Sequence, residues 1–360
     1  MSDRLSGRIL SVDILRGITV CMMIIVNNPL SQPFAFLEHS GWNGLTPCDM
    51  VFPFFLFIMG VSIFLSLSKN GFERSWKTVL RILRRTAGII LVCYGIIFLS
   101  KLFGDRPIVW SDFRLTGVLV RIALCYGIVA LLSLFVRKEH FFWIAPLLLV
   151  AYSVILLACD GYAPDHSNIL YRIDARLVGE SHLYQWDQIE PEGLFGTIPC
   201  IAHTMIGFLC GMLLKSGLTL EKKSARMALW GAALVVVGLI ISIWLPINKK
   251  VWSPSFVLVT TGAAMALLAL LTWVLDIKGW TRWSEFFRVF GVNALALYVI
   301  ADLLGILLGP LGFWDVLATL WISIIPSNAH LASLGFSLTA MMICWLCGFA
   351  LYKSKIFIKL

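Results

Sequence analysis

Long apolar runs alternate with short polar connections along the whole sequence. Each run has about 17 to 25 residues, which is enough to cross a hydrocarbon core of about 30 Å as an α-helix. The pattern predicts ten membrane-spanning helices, near residues 12–28, 51–68, 82–100, 117–136, 141–159, 194–214, 227–246, 254–275, 286–308 and 331–352. The apolar stretch 312–325 is short, and we expect a re-entrant or interfacial segment there; an eleventh span is the alternative. The predicted fold class is an all-α polytopic membrane protein.

Composition supports this reading. Hydrophobic residues make up 59% of the chain and charged residues 14%, whereas soluble domains carry about 25% charge. The first apolar run lacks the small-residue pattern of a cleavage site, so we expect it to remain as the first helix. The nine cysteines lie mostly in apolar runs, and neither a disulfide framework nor a metal site is expected. The expected partner is the lipid bilayer, and no nucleic acid is expected.

The basic residues predict the topology, because Lys and Arg near helix ends are retained on the cytoplasmic side. With the N-terminus inside, 21 of the 29 basic residues fall in inner segments and seven in outer ones. Ten spans then return the C-terminus to the cytoplasm. The outer face carries two main loops, 28–50 and 160–193.

The loop 28–50 places a histidine, amide side chains and carboxylates between two hydrophobic segments. It contains His39, Trp42, Asn43 and Asp49, and Asn27 directly precedes it. Ordinary structural roles are open here, since Asp49 has an N-cap position before the second helix and Asn27 ends the first. Ser11 is likewise placed to cap the first helix, where Asp13 and Arg16 are spaced to form an ion pair.

Positive charge is densest in the inner connection 69–85. Arg81, Arg84 and Arg85 have helical spacing and share one side of the third span. Contact with anionic lipid explains such a cluster, and a site for a phosphorylated cytoplasmic ligand is the alternative. Arg121 is unusual because it lies inside an apolar run, where an arginine normally faces a partner or a water-filled cavity.

The outer segment 160–193 mixes acidic and aromatic residues, which suits a polyhydroxylated sugar but also describes an ordinary solvated loop. Intramembrane polar residues allow another class of function: Arg121, His203 and Asp302 are of the kind that line transport pathways. A transporter of sugars or acylated small molecules is therefore the alternative, and a non-catalytic membrane partner in envelope assembly is a third.

Several motifs together resemble one family. Residues 39–53 read H-x-x-W-N-G-x-T-x-x-D-x-V-F-P, and further matches occur at 11–17, 114–121, 191–197 and 291–293. The chain resembles the heparan-α-glucosaminide N-acetyltransferase family of transmembrane acyltransferases, in a compact bacterial form without the lumenal N-terminal domain. The resemblance implies one transmembrane acyltransferase domain over residues 1–360 in the bacterial inner membrane.

The resemblance also implies transfer of an acetyl group from cytoplasmic acetyl-CoA to an amino sugar or glycan on the periplasmic side. His39 matches the family's catalytic histidine, Asn27 its neighbouring asparagine and Asp49 an acidic residue of the same site. His39 is expected to act as a general base or as an acetyl-accepting nucleophile.

The remaining candidate residues are identified either by the matched motifs or by their charge. Trp42, Asn43 and Glu192 lie in the matched motifs and are candidates for substrate binding. Arg121, which matches a family position, is a candidate for CoA binding. Arg81, Arg84 and Arg85 are candidates for CoA binding by their charge and side alone. Residues 28–38 lack the glycine-rich stretch that borders the acceptor site in animal members of the family, so the acceptor need not be a heparan end. A homodimer is one assembly that the sequence allows.

Overall fold

The computed structural model describes residues 9–104, 108–110 and 113–358, and in those residues it contains helices and connecting segments but no β-strand. The α-helices are α1 (Leu10–Asn27), α2 (Val51–Leu67), α3 (Trp76–Leu102), α4 (Val118–Phe135), α5 (Phe141–Ala158), α6 (Ile169–Val178), α7 (Thr197–Leu214), α8 (Leu220–Ile241), α9 (Pro254–Leu271), α10 (Glu285–Val292), α11 (Ala294–Leu308), α12 (Phe313–Ile324) and α13 (Ala329–Lys353). Arg4, Arg8, Arg106 and Lys359, which contribute to the predicted topology, lie outside the described residues.

The predicted fold class is confirmed. Nine helical segments in the described part of the chain are long and apolar enough to cross a membrane, and a bent pair of helices makes a tenth. Helix α12 has 12 residues and spans about 18 Å, which is shorter than the hydrocarbon core. This agrees with the expectation that 312–325 does not form an ordinary eleventh span.

The predicted continuous helix over 286–308 is wrong. The chain bends by 73° between α10 and α11, at Asn293. The Asn293 amide donates to the carbonyl of Ile356 and accepts from the backbone N–H of Ile358, so it ties the break to the C-terminal segment. Helix α10 also packs directly on α1, because a Cβ atom at Gly291 would collide with the carbonyl of Asp13.

Two further differences concern local structure. Ser11 does not cap α1: the helix begins one residue earlier, and Ser11 is buried and accepts a hydrogen bond from Thr272. The expected Asp13–Arg16 ion pair is present at 2.8 Å. Helix α6 was not predicted; it forms within the connection 160–193 and is capped by the side chain of Asn168.

Helices α2 and α7 pack closely against each other. Gly60 and Gly207 lie where the two backbones meet, and an added Cβ atom at either would collide with a backbone carbonyl of the other helix.

Helix α2 also separates the two polar regions of the bundle. It is preceded by the loop 28–50 and followed by the connection to α3, and its 17 residues span about 25 Å. We call these two ends of the bundle the His39 face and the Arg81 face.

Candidate active site

The loop 28–50 is folded back on itself by two short 3-10 turns, Ala35–Leu37 and Cys48–Met50. Thr46 joins its two halves, because its hydroxyl donates to the carbonyl of Glu38 at 2.6 Å. This contact brings the His39 segment against the turn that leads into α2. The loop therefore has a defined conformation although it contains only single turns of helix.

Asp49 is fully buried beneath this loop. Its Oδ2 accepts from the backbone N–H groups of Ser40 and Thr46, each at 3.1 Å, and lies 3.1 Å from the Thr46 hydroxyl oxygen. The suggested N-cap role is wrong, because the N-cap of α2 is Met50 and Asp49 caps no helix N–H group. The carboxylate instead holds the loop that carries His39.

His39 and Asp49 form a hydrogen-bonded pair. The imidazole Nδ1 lies 2.8 Å from Asp49 Oδ1, and the His39 side chain is 55% exposed while that of Asp49 is 0% exposed. An ionised carboxylate only accepts hydrogen bonds, so this contact assigns the proton to Nδ1. The other nitrogen, Nε2, then carries the lone pair on an exposed ring, as a base or nucleophile requires.

Cys48 Sγ lies 3.1 Å from His39 Nδ1. Lys249 also contacts this group and was missed from the sequence. Its Nζ lies 3.0 Å from His39 Nδ1, 3.2 Å from His39 Nε2 and 3.5 Å from Asp49 Oδ1. A weak signal was available, because Lys249 and Lys250 form a basic pair in a connection predicted to be outside, against the general charge bias. Nothing in their spacing linked them to a loop 210 positions earlier.

Trp42 and Asn43 lie in the same loop and make contacts with other segments. The Trp42 indole N–H donates to the carbonyl of Tyr162 at 3.1 Å. The Asn43 side-chain oxygen accepts from the amide of Asn248 at 3.1 Å, next to Lys249. Both residues thus connect the His39 loop to the neighbouring outer connections, and their predicted role in substrate binding stays a prediction.

Glu192 pairs with Arg114 in a second polar group on the His39 face. The Arg114 guanidinium contacts Glu190 and lies 2.6 Å from Glu192. Glu190 is buried and also accepts from the Thr116 hydroxyl at 2.6 Å. Burial favours its neutral form, but the adjacent guanidinium outweighs burial and lowers the pKa of Glu190. Sequence reasoning identified Glu192 but not Glu190, the more buried partner.

Asn27 lies in a cavity of about 560 Å³ beside this group. Polar and aromatic side chains contribute to the wall of this outer cavity: Asn27, Asn28, Lys101, Arg114, Tyr184, Gln185, Trp186 and Asp302. Within the described part of the chain, Asn27 makes no hydrogen bond to His39. The structure therefore joins His39 and Asp49 directly, whereas Asn27 lines a cavity whose wall does not include either residue.

Arg81, Arg84 and Arg85 line a different cavity, of about 490 Å³, on the Arg81 face. They lie near the start of α3, which begins several residues before the predicted span. All three are exposed, and among the described residues none forms an ion pair, although Glu73 also lines this cavity. Arg85 stacks on the ring of Tyr126 at 4.6 Å. The cavity therefore offers uncompensated positive charge.

A third cavity, of about 390 Å³, extends this space into the bundle. It shares Ile63, Arg85 and Tyr126 with the arginine-lined cavity, and it continues to Tyr298 on α11. Helices α3 and α11 line both this middle cavity and the outer cavity that contains Asn27. Helix α3 thus lines all three cavities, from the arginine-lined cavity through the middle cavity to the outer cavity.

Arg121 lies apart from these cavities. It is buried, donates to the carbonyl of Gly193 at 2.7 Å and lies 5.5 Å from the ring of Trp252. His203 is also buried near Trp252, at a ring separation of 6.3 Å. Neither residue lines the three cavities described above. These contacts are those of a packed polar core, and a role for Arg121 in CoA binding stays a prediction.

Comparison with known proteins identifies the family. Residues 8–245 match the family model "Heparan-alpha-glucosaminide N-acetyltransferase, catalytic". The sequence is 28% identical to heparan-alpha-glucosaminide N-acetyltransferase of Mus musculus and 28% identical to that of Homo sapiens. Each alignment covers 99% of this chain, which spans 61% of the mouse protein and 60% of the human protein. The chain belongs to the heparan-alpha-glucosaminide N-acetyltransferase family.

Proposed function

We propose that this protein is a membrane acetyltransferase that moves an acetyl group from acetyl-CoA to the amine of an amino sugar or glycan. The donor approaches from the Arg81 face, and the acceptor from the His39 face. One observation carries the proposal: an exposed histidine on a buried carboxylate and a cavity with uncompensated arginines lie at opposite ends of α2. Family membership supports the acetyl-transfer chemistry.

The arginine-lined cavity suits the phosphate groups of CoA. Guanidinium groups bind phosphate through paired N–H donors, and Arg81, Arg84 and Arg85 have no carboxylate partner within the described residues. The pantetheine arm then follows α3 and α11 through the middle cavity toward Asn27. Between Arg85 in the middle cavity and Lys101 in the outer cavity, α3 rises about 24 Å, so this helix extends along the whole proposed path.

His39 performs the chemistry in this proposal. The acceptor amine has to lose a proton as it attacks the thioester, and neutral imidazole is a suitable base near pH 7. Alternatively, His39 Nε2 attacks first and carries the acetyl group to the amine. Asp49 holds the ring and its tautomer in either case, and Asn27 contacts the thioester in the outer cavity.

The acceptor binds on the same face. Trp42 and Asn43 border His39, and Glu192 lies near the outer cavity with Tyr184 and Trp186. Aromatic rings stack on sugar faces, while carboxylate and amide groups bind hydroxyl and ammonium groups. In this proposal, residues 1–360 act as one acyltransferase domain of the bacterial inner membrane. The charge bias supports cytoplasmic N- and C-termini.

The test uses purified protein in nanodiscs, radiolabelled acetyl-CoA and a panel of glucosamine derivatives. We expect transfer by the wild type and a loss of about 10²- to 10⁴-fold in His39→Ala, because the positioned base is removed. His330→Ala is the matched control: this exposed histidine contacts the carbonyl of Pro33 in the same loop, and its loss should leave the rate within twofold. Equal transfer by wild type and His39→Ala would contradict the proposal.

A further inference from the structure

Lys249 lies beside His39 in a way that leaves the reactive lone pair open. Its Nζ is almost equally distant from the two ring nitrogens, at 3.0 Å from Nδ1 and 3.2 Å from Nε2. A hydrogen bond along the Nε2 lone pair would instead leave Nδ1 more than about 4 Å from the ammonium. The ammonium is therefore next to Nε2 without occupying the direction in which a substrate approaches.

The position of Lys249 is fixed by the chain around it. Asn248 is fully buried and is hydrogen-bonded to Asn43 through its side chain, to Ser253 through its backbone N–H and to Val251 through its side-chain oxygen. The backbone N–H of Gly44 donates to the carbonyl of Ile247 at 2.8 Å. The Lys249 side chain is only 16% exposed. The cation is thus held in place before any substrate arrives.

We propose that Lys249 is a further catalytic residue, whose ammonium stabilises the negative charge that develops on the carbonyl oxygen of the acetyl group at His39. The inference rests on the proposed acetyltransferase function and assigns a role to a residue beyond the matched range 8–245. An oxyanion needs a donor about 3 Å from its oxygen. Lys249 Nζ lies 3.2 Å from the reacting nitrogen Nε2, which is close enough to the reacting group to supply this donor.

The step balances as follows when His39 acts as base. The acceptor nitrogen bonds to the acetyl carbon, the carbonyl electron pair moves to oxygen beside Lys249, and Nε2 takes the amine proton. The tetrahedral intermediate then collapses: the carbon–sulfur bond breaks, and the imidazolium returns the proton to the departing thiolate, giving CoA. Lys249 stays protonated throughout and acts through its charge.

The experiment compares Lys249→Met with the wild type, using steady-state kinetics for acetyl-CoA and for the acceptor. We expect kcat to fall by about thirtyfold or more, with both KM values within threefold, because the ammonium acts in the transition state. Lys249→Arg keeps the charge, so its kcat should be higher than that of Lys249→Met. If the loss in Lys249→Met is about thirtyfold, we expect Lys249→Arg to exceed it by at least about threefold. Lys250→Met is the control from the same loop, whose ammonium pairs with Asp187 at 2.6 Å; we expect less than a threefold change.

The outcomes are distinguishable. If the wild type is active and Lys249→Met has the same rate, this inference alone is overturned. It is also overturned if Lys249→Met raises KM for the acceptor and leaves kcat unchanged. A wild type without transfer to any acceptor overturns the proposed function itself. If Lys249→Met does not fold in detergent, Lys249→Gln is measured in its place. A Lys249→Gln rate equal to that of Lys249→Arg would also contradict the role of charge.

Discussion

At the His39 face the protein compensates its own charges, whereas at the Arg81 face it leaves them exposed. Asp49 is buried and receives hydrogen bonds from Ser40 and Thr46 as well as the contact with His39. Arg81 and Arg84 are exposed and, within the described residues, have no acidic partner. The difference is one of preorganisation: one end has fixed polar groups, and the other has open positive charge.

This contrast corresponds to two kinds of work. Bond-making chemistry gains from groups that are already in place, because no reorganisation is then needed in the transition state. Capture of a flexible, multiply charged donor needs accessible cations, since the ligand supplies the missing negative charge. The two regions should therefore respond differently to substitution, in kcat at the His39 face and in KM at the Arg81 face.

The largest expected effect is at Asp49. Asp49→Asn keeps the shape of the side chain but removes the charge that fixes the His39 tautomer, and we expect kcat to fall by about 10²- to 10⁴-fold. KM for acetyl-CoA should stay within twofold. Asp187→Asn is the control, because Asp187 is a carboxylate on the same face that pairs with Lys250; its rate should stay within threefold. If Asp49→Asn turns over substrate at the wild-type rate, catalysis does not depend on the fixed charge at the His39 face, and the proposed difference between the two faces is wrong.

An intermediate effect is expected at the Arg81 face. The double variant Arg81→Gln/Arg84→Gln should raise KM for acetyl-CoA by about ten- to thirtyfold and leave kcat within twofold. The reason is that these cations bind the donor equally in the ground state and in the transition state. The salt dependence of KM should weaken, since fewer charges act on the donor. Arg74→Gln is the control: Arg74 is exposed in the same connection but does not line the cavity.

Two results would count against this assignment. If the double variant binds acetyl-CoA as the wild type does, the donor does not dock among these arginines. If it lowers kcat at unchanged KM, the Arg81 face takes part in the chemistry and the division between the two faces is wrong. Isothermal titration with CoA alone separates these cases.

The smallest effect concerns Asp174, a buried carboxylate that differs from Asp49 in its partners. Its Oδ1 accepts from the N–H of Phe195 at 2.9 Å, but its Oδ2 has no hydrogen-bond partner in the described structure. Burial raises the pKa of Asp174 to about 6 from 3.8. The native state therefore loses stability as pH rises through this range, and the penalty is complete above pH 6.

Asp174→Asn removes the ionisable group, so its melting temperature relative to the wild type should increase from pH 5 to pH 8. Between these two pH values, the unfolding free energy of the variant relative to the wild type should rise by on the order of 1 kcal/mol, because Asp174 ionises in the native wild type within this interval. Thermal unfolding in nanodiscs at the two pH values measures it. A difference between variant and wild type that is constant with pH would show that Asp174 is not held with a raised pKa.

The membrane-spanning helices were predictable because each has its own signal. The run that becomes α2 is apolar over its whole length, and its ends are marked by Pro53 and by polar residues after Leu67. The break at Asn293 was not predictable, since apolar residues continue on both sides. The Asn293 side chain donates to the carbonyl of Ile356 and accepts from the N–H of Ile358, and both residues are distant in the chain.

In the candidate site, too, some contacts were predictable from the sequence and others were not. His39 and Asp49 are ten positions apart in one loop, so a local motif suggested that they meet. Lys249 reaches them from the connection between α8 and α9, and Glu190 reaches Arg114 across 76 positions. Such contacts arise from helix packing. In particular, the Gly44–Ile247 and Asn43–Asn248 bonds bring two outer connections together.

The most direct test of the central claim is the sidedness of the reaction. Protein of known orientation is reconstituted in sealed proteoliposomes, with membrane-impermeant acetyl-CoA on one side and a membrane-impermeant glucosamine derivative on either side. We predict acetylated product only when acetyl-CoA is on the Arg81 side and the acceptor is on the His39 side. Product that forms only with both substrates on the same side would contradict the account.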